Sequence, residues 1–390
     1  MTLKSLELFS GAGGLALGLE GAGFENVGLV ERNHDACNTI RLNRPLWNLV
    51  QNDIRQIDFS DFGKVDLVAG GPPCQPFSMG GKARGNADLR DMFPQAVRAV
   101  RALQPQAFIF ENVRGLLRPA FQNYVEYIRL QLMYPDFPTS ENVAWDKNLA
   151  RLQRHHNSTS ARVGLSYRVT LNLADAADYG VPQRRHRVFF VGFRSDLDTG
   201  WSFPNPAASL EELLRSQYIT KDYWAYHGIS APRQIPSRWN NHVQKLSTAD
   251  LFNTEARWKT VRDAIADLGV PKKISSDPNH YFQPGAKSYP GHTGSPVDEP
   301  SKALKAGAHG VPGGENMLVQ RNGEVRYFTV RESARIQTFP DNYIFSGSWS
   351  ESMRQLGNAV PVSLAQAVAE SVAKHLRALH GKRQRIQSPR

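Results

Sequence analysis

The side chains in this chain that could do chemistry lie just past the ends of short apolar runs. After Val65–Ala69 comes Gly70-Gly71-Pro72-Pro73-Cys74-Gln75-Pro76-Phe77-Ser78. Two prolines fix φ immediately before a cysteine in a loop. A thiol on a stiffened loop suits a nucleophile, which acts as the thiolate. The competing reading is a Pro-rich turn with an incidental thiol. Cys37 falls inside a helical pattern and reads as core. After Ala107–Phe110 comes Glu111-Asn112-Val113. A carboxylate ending a buried strand is costly unless it is paired or used. Burial would raise its pKa and make it a proton donor. It could also form a salt bridge to Arg185 or Arg187, and both can hold at once. In Gln183-Arg184-Arg185-His186-Arg187 the alternate residues Gln183, Arg185 and Arg187 share one side of an extended chain. Such donors suit a phosphate or a base oxygen; a solvated basic edge is the alternative. His186 faces away and receives no role. Near the start, Ser10-Gly11-Ala12-Gly13-Gly14-Leu15-Ala16 satisfies G-x-G-x-x-A, with Glu31 ending the next apolar run. Glycines let the backbone approach a ligand, and the acid can accept ribose hydroxyls. This pattern alone does not separate a nicotinamide dinucleotide from S-adenosylmethionine, or either from a glycine turn with no ligand.

These segments need a scaffold, and the spacing supplies one. Strands are predicted at Ser5–Phe9, Val27–Val30, Val65–Ala69, Ala107–Phe110, Tyr167–Leu173 and Arg187–Phe193. Helices are predicted from the glycine turn to Ala22, near Asp35–Leu42 and over Gln95–Leu103. The strand runs are short, continuous and apolar, as buried parallel strands are. The pattern predicts a doubly wound, Rossmann-like α/β sheet, whose ligands bind beyond the carboxyl ends of the strands. Residues 197–330 change character: Pro and Gly are frequent, Trp201, Trp224, Trp239 and Trp258 appear, and strand–helix alternation stops. This reads as a second, smaller and irregular domain. Regularity returns at Arg331–Arg335, and Val362–Leu379 reads as a terminal helix that packs back on the first domain. The basic end GKRQRIQSPR is expected to fray.

Composition bounds the function. The 390 residues carry 47 Lys and Arg against 36 Asp and Glu, a net charge of +11. Such a surplus favours a polyanionic partner, nucleic acid first. Two cysteines exclude a disulfide framework or a four-cysteine zinc site and fit a reducing compartment. No apolar run approaches the ~20 residues of a membrane helix. Glu7 and the glycine cluster make the apolar N-terminus a strand entering a turn rather than a signal segment. His155-His156 is the only adjacent histidine pair, in a polar stretch, and no metal-ligand cluster is evident.

Taken together and in order, these segments resemble the DNA (cytosine-5) methyltransferase family over nearly the whole chain. The matching pieces are Phe9-Ser-Gly11-Ala-Gly13-Gly14, Glu31, Asp53-Ile54, Gly71-Pro-Pro-Cys74-Gln-Pro-Phe-Ser78, Glu111-Asn-Val113 and Gln183-x-Arg185-x-Arg187. Arg331-Glu332-x-x-Arg335-x-Gln337-x-Phe339-Pro340 and Gly357-Asn358-Ala-Val360 follow the variable part. The resemblance implies that Cys74, set by Pro73, adds to C6 of cytosine. Glu111 would hold N3, Arg187 would donate to O2, and Arg185 would brace the glutamate or a phosphate. It implies S-adenosylmethionine as methyl donor, leaving S-adenosylhomocysteine. Phe9 would lie against adenine, Gly11 and Gly13 at the methionine end, and Glu31 on the ribose. Asp53 would hold the adenine amino group and Ile54 pack on the base. Asn358 would return from the C-terminal segment to complete the site. Arg32 stands after Glu31 where many members carry an apolar or aromatic residue. The Asp88–Phe93 stretch reads as about one residue shorter than in many members, so it receives no contacts.

The same resemblance assigns residues 1–196 and 350–390 to a catalytic, cofactor-binding domain, 197–330 to target recognition and 331–349 to a hinge. Double-stranded DNA is the implied substrate, with its target base flipped out of the stack. The loop carrying Gly80, Gly81, Lys82, Arg84, Gly85 and Arg90 would close over it. Arg233, Arg238, Asn240 and Arg257 are candidate base or phosphate contacts. Three other readings compete. An NAD-dependent dehydrogenase leaves Cys74, Glu111 and Asn358 unexplained. An RNA-methylating branch carries a Cys-Phe-Thr motif in its variable region, and no cysteine follows Cys74 here. A non-catalytic DNA binder does not need Cys74, Glu111 and Arg187 together. The implied biology is the bacterial restriction–modification type, although a solitary enzyme with an epigenetic role would look the same. That means a cytoplasmic, nucleoid-associated monomer whose cognate endonuclease acts on the same site without a stable complex.

Overall fold

Continuous apolar runs bounded by glycine and proline form the interior strands of one sheet in a computed structural model. It describes residues 2–73, 91–139, 143–158, 164–197, 200–248, 255–307 and 316–387. The first part of the chain runs β1 (Leu3–Leu8), α1 (Gly14–Gly21), β2 (Phe24–Glu31), α2 (His34–Asn43), β3 (Leu49–Gln51) and β4 (Leu67–Gly70). It continues through α3 (Phe93–Leu103), β5 (Ala107–Val113), α4 (Gln122–Met133), α5 (Trp145–Asn157), β6 (Tyr167–Asp175) and β7 (His186–Arg194). These strands form a seven-stranded sheet in the order β3-β2-β1-β4-β5-β7-β6. All but β7 run parallel; β7 is antiparallel to both β5 and β6.

Side chains alternate between two covered faces. Leu6, Leu8, Val68, Phe108, Phe110, Val188 and Phe190 pack under α3, α4 and α5. Leu3, Leu67, Ala69, Ala107, Ile109, Phe189 and Val191 pack under α1 and the long α12 (Val362–Gln387). A Cβ on Gly18 would lie 2.5 Å from that of Ala365, so glycine lets these two helices approach closely. The strand order reverses on either side of β1. The crevice between the ends of β1 and β4 is therefore the topological switch point, where open α/β sheets bind ligands.

The remaining elements are short: β8 (Ala208–Ser209), α6 (Leu210–Tyr218), α7 (Asp222–Tyr226), α8 (Asn240–Ser247), β9 (Ala256–Arg257), α9 (Val261–Ile265), β10 (Ser295–Pro296), β11 (Met317–Val319) and β12 (Val325–Tyr327). They build a two-stranded and a three-stranded sheet with small cores of their own. Then α10 (Val330–Ile336) and α11 (Trp349–Asn358) lead into α12. Thr329 caps α10 with Glu332 in a reciprocal capping box.

Four expectations need correction. The last two strands of the series are not parallel neighbours: β6 pairs only with β7, and β7 runs backwards. Pairing with β7 also extends β5 through Val113, so Glu111 lies within the strand rather than after it. The expected frayed end is helical to Gln387. Trp201 belongs with the main sheet, because it packs on Phe193 and donates to Ser371 of α12.

Candidate active site

The switch point collects two loops. The first leaves β1 at Phe9, which adopts φ 58, and turns through Gly11 (φ 53) and Gly13 (φ 84) into α1. A Cβ on Gly11 would meet nothing within 4 Å, so the turn opens on space there, whereas one on Gly13 would meet the Tyr343 hydroxyl at 3.1 Å and one on Gly14 the Val360 carbonyl at 2.5 Å. Its amide donates to Glu31 Oε2 at 2.7 Å, while Glu31 Oε1 accepts from the Arg32 amide at 2.8 Å and the Asn33 amide at 2.6 Å. Three of the carboxylate's about four acceptor positions are thus held by backbone. One remains on Oε2 for an incoming hydroxyl. Asp53, at the mouth of the same crevice, is gripped by Arg55 through Nε at 2.9 Å and Nη2 at 2.6 Å, and approached by Arg32 Nη1 at 3.4 Å. The hydrogen bonds from Arg55 hold the Asp53 carboxyl well below the usual range. Ile54 is buried behind it. Asn358, the last residue of α11, is exposed at the same sequence corner as Gly357 and Ala359.

The second loop leaves β4 as Gly71-Pro72-Pro73. Asn112 of β5 donates to the Pro72 carbonyl at 2.9 Å, and the Met92 amide donates to that of Pro73 at 3.1 Å. Pro73 itself is exposed. Cys74 and the basic loop with Gly80, Gly81, Lys82, Arg84, Gly85 and Arg90 lie outside the described residues. What is described is the anchor of that loop, and Asn112, a residue the sequence reading left without a role, supplies half of it.

Beside the anchor lies the buried polar centre. Glu111 is 7% exposed, and its Oε1 stands 2.5 Å from Nε of Arg187, which is 8% exposed. A Cβ on Gly71 would lie 3.3 Å from Glu111 Oε2, so the carboxyl faces the start of the cysteine loop. Burial pushes the Glu111 carboxyl up, and the nearby Arg187 and Arg185 only partly offset it. Burial pushes Arg187 down, against the pull of Glu111. Both partners thus favour their neutral forms more than they would in water, as expected where desolvation outweighs a single ion pair.

Arg185 departs from expectation. It is 1% exposed, and its guanidinium donates to carbonyls of Leu304 at 2.8 Å, Gly357 at 2.5 Å and Ala359 at 3.1 Å. It forms no salt bridge among the described residues, and it cannot reach a phosphate from there. Gln183 is also buried: it accepts from the Leu304 amide at 2.9 Å and donates to Gln337 at 3.0 Å. The predicted alternation holds, since Gln183, Arg185 and Arg187 turn inward while Arg184 is half exposed. Two candidate DNA contacts are also held by protein. Arg257 pairs with Asp263 through both nitrogens at 2.7 Å, and Arg238 pairs with Glu299. Arg233 and Asn240 are exposed. His156 accepts or shares a proton with Tyr134 at 2.8 Å, and no cluster of metal-ligating side chains occurs among the described residues.

One buried group had a visible signal and received no role. Glu7 interrupts the apolar β1, is 1% exposed, and its Oε2 has no hydrogen-bond partner among the described residues. Burial, aided by the charge on Glu31, pushes its carboxyl well up.

The reversed strand, the glycine turn and the buried carboxyl beside a proline-stiffened loop define a methyltransferase-type α/β enzyme. The likeness to solved structures supports that fold. The chain matches the Schizosaccharomyces pombe Dnmt2 methyltransferase with TM-score 0.57 and 19% identity, covering 97% of this chain and 99% of that one. It matches the Entamoeba histolytica methyltransferase EhMeth with TM-score 0.53 and 14% identity, covering 96% and 99%. The sequence pattern of the C-5 cytosine-specific DNA methylases matches residues 3–140 and 133–374, and the chain belongs to that family. Among its relatives are the type II methyltransferase M.NgoMIV of Neisseria gonorrhoeae and M.Eco47II of Escherichia coli. The first is 32% identical over 97% of this chain and 99% of the relative. The second is 34% identical over 94% and 78%. The resemblance read from the motifs is borne out: this is a DNA (cytosine-5) methyltransferase.

Proposed function

We propose that the enzyme methylates carbon 5 of cytosine within a specific sequence of double-stranded DNA, with S-adenosylmethionine as donor. The observation that carries the reading is Glu111, a buried carboxyl of raised proton affinity, paired with Arg187 and facing the anchored start of the Cys74 loop. C5 of cytosine is a poor nucleophile. The Cys74 thiolate adds to C6, and the ring's π electrons move toward C5 and N3. Glu111 keeps a proton at N3 as that density arrives, and Arg187 donates to O2. After C5 is alkylated it loses its proton, the C6–S bond breaks, and the thiolate is returned. The target base must first leave the duplex, which costs a few kcal/mol. The Gly- and Lys/Arg-rich loop after Cys74 is the segment proposed to close over it.

The residues of the crevice fit the donor. The left-handed turn through Gly11 and Gly13, open at Gly11, would admit it, Glu31 keeps an acceptor for a ribose hydroxyl, and Asp53 presents a carboxylate for the adenine amino group. Phe9 and Ile54 offer apolar surface, and Asn358 would close the corner. S-adenosylmethionine supplies the methyl group when bound. Residues 1–196 and 350–390 would then form the catalytic unit, 197–330 the unit that reads sequence, and 331–349 the hinge. Restriction–modification is the biological role we infer, as the type II relatives suggest, with a cognate endonuclease sharing the site. The enzyme would act as a monomer in the cytoplasm.

The test is methyl transfer from tritiated donor into unmethylated duplex DNA, followed by bisulfite sequencing. Protected cytosines confined to one short motif support the reading. Label on adenine, on RNA in preference to DNA, or at cytosines in no common context would refute it.

A further inference from the structure

Residues 301–307 of the proposed recognition unit do not simply abut the catalytic unit; they thread through it. The Ser301 amide donates to the Pro182 carbonyl at 2.9 Å, and the Arg184 amide donates to that of Ser301 at 2.8 Å. Leu304 is held from both ends, its amide by Gln183 Oε1 and its carbonyl by Arg185. On the far side, Gly357 lies so close to the segment that a Cβ there would collide with the Ala306 amide nitrogen and the Lys305 carbonyl carbon. The same Arg185 guanidinium takes the carbonyls of Gly357 and Ala359, the two neighbours of Asn358. Gln337 reinforces that corner by donating to Leu356 and to Ala359.

One buried side chain therefore fixes three points at once: the recognition-unit segment, the backbone on both sides of Asn358, and the lead-in to Arg187. A cation used this way is unusual, because carbonyls take its Nη1 and Nη2 donors without neutralising its charge, while its buried Nε has no partner among the described residues. A planar fork can bridge three carbonyls from different segments, whereas an ammonium is a compact point charge.

We propose that Arg185 is a positioning residue that couples DNA engagement by the recognition unit to binding at the cofactor crevice, by holding residues 301–307 and the Asn358 corner in one register. This rests on the proposed roles of Asn358 and the 197–330 unit. Coupling is reciprocal, so DNA must tighten the binding of a cofactor analogue by the factor by which the analogue tightens DNA.

The test measures S-adenosylhomocysteine affinity with and without a long unmethylated DNA duplex of mixed sequence, together with KM and kcat for methyl transfer. In the wild type DNA is expected to tighten S-adenosylhomocysteine by about tenfold. In Arg185→Met and Arg185→Lys, affinity without DNA should stay within about threefold of wild type, and the gain from DNA should fall below about twofold. KM for the donor should then rise more than kcat falls. Gly357→Ala, which keeps the Arg185 side chain but crowds residues 305–306 and the Gly357 backbone that Arg185 holds, should lose the gain as well, and covers the case in which the Arg185 variants do not fold. A full gain in Arg185→Lys would overturn the proposal, because charge near Glu111 would then suffice. So would a full gain in Gly357→Ala, or wild-type binding of the two ligands with no mutual effect. Failure of the wild type to bind S-adenosylhomocysteine at all would instead strike the reading of the crevice itself.

Discussion

Two acidic clusters occupy the same edge of one sheet and are built on opposite terms. Glu31, at the end of β2, and Asp53, past β3, are largely held before any ligand arrives: one by three backbone amides, the other by Arg55 and Arg32. Hydrogen bonds to the ionised form hold Asp53 charged. Glu111, across β4, sits in the interior salt-bridged to Arg187 with Arg185 nearby, and burial pushes it toward the neutral form. Asp53 thus presents negative charge to a ligand. Burial makes the second cluster hold a proton more tightly than it would in water. The difference supports the proposed division, binding for one and chemistry for the other, though both consist of ordinary carboxylates.

If that division is right, the largest loss should come from the buried cluster. Glu111→Gln keeps shape and a donor but removes the transferable proton, and should lower the rate of methyl transfer by about 100- to 10,000-fold. Donor affinity, measured by titration with S-adenosylhomocysteine, should be little changed. A variant that instead lost affinity with kcat intact would place Glu111 in the binding cluster.

Removing the partner should cost structure as well. Arg187→Leu leaves Glu111 buried without its cation, and such breakage destabilises by about 3–5 kcal/mol. Denaturant melts of Arg187→Leu and of the double variant with Glu111→Gln check this. Most of the loss should be recovered in the double variant. Equal losses in both would mean that the pair contributes packing rather than charge.

The legible part of this division was the part written locally. Gly11-Ala-Gly13, Pro72-Pro73-Cys74 and Glu111-Asn112 could each be read because sheet strands deliver their ends to one edge. What escaped depends on distant partners. β5 reaches Val113 only because β7 pairs with it in reverse, from more than seventy positions later. Arg185 reads as a catalytic donor next to Arg187. Its role as a tether is set by carbonyls 119 to 174 positions away, which no local pattern encodes. Arg257 and Arg238 looked like free cations for the same reason, since Asp263 and Glu299 meet them only in the fold. Glu7 is the converse case: a carboxylate inside an apolar strand was visible, but nothing nearby in sequence said what it does.

Glu7 sharpens the comparison through pH. Its carboxyl lies in the interior beneath the glycine turn, and its proton affinity in the fold exceeds the ordinary value of 4.5. The fold therefore holds the carboxyl proton more tightly than the unfolded chain does. The stability this provides is full below about pH 4.5 and falls as pH rises through the folded pKa. Glu7→Gln, which mimics the neutral acid, should melt with the wild type near that pH and above it at progressively higher pH. Parallel melting curves across the range would show that Glu7 is ionised in the fold.

The smallest effect is expected in the half-buried cluster of Glu31 and Asp53. Asp53→Asn should raise the KM for the donor several-fold while kcat and the melting temperature hold, the latter within about 2 °C. A loss of kcat as large as that of Glu111→Gln would erase the distinction between the clusters.

The central claim is that the buried carboxyl serves a covalent step at Cys74. The direct measurement is trapping on duplex DNA carrying 5-fluorocytosine at the methylated position, in the presence of donor. Fluorine at C5 cannot leave as a proton, so the adduct should persist. It should survive denaturing electrophoresis and map by peptide mass to Cys74, while Cys37, buried with its thiol pushed up to about 11, stays unmodified. DNA that is methylated at the target position yet never becomes attached to the protein, or an adduct at any other residue, would contradict the account.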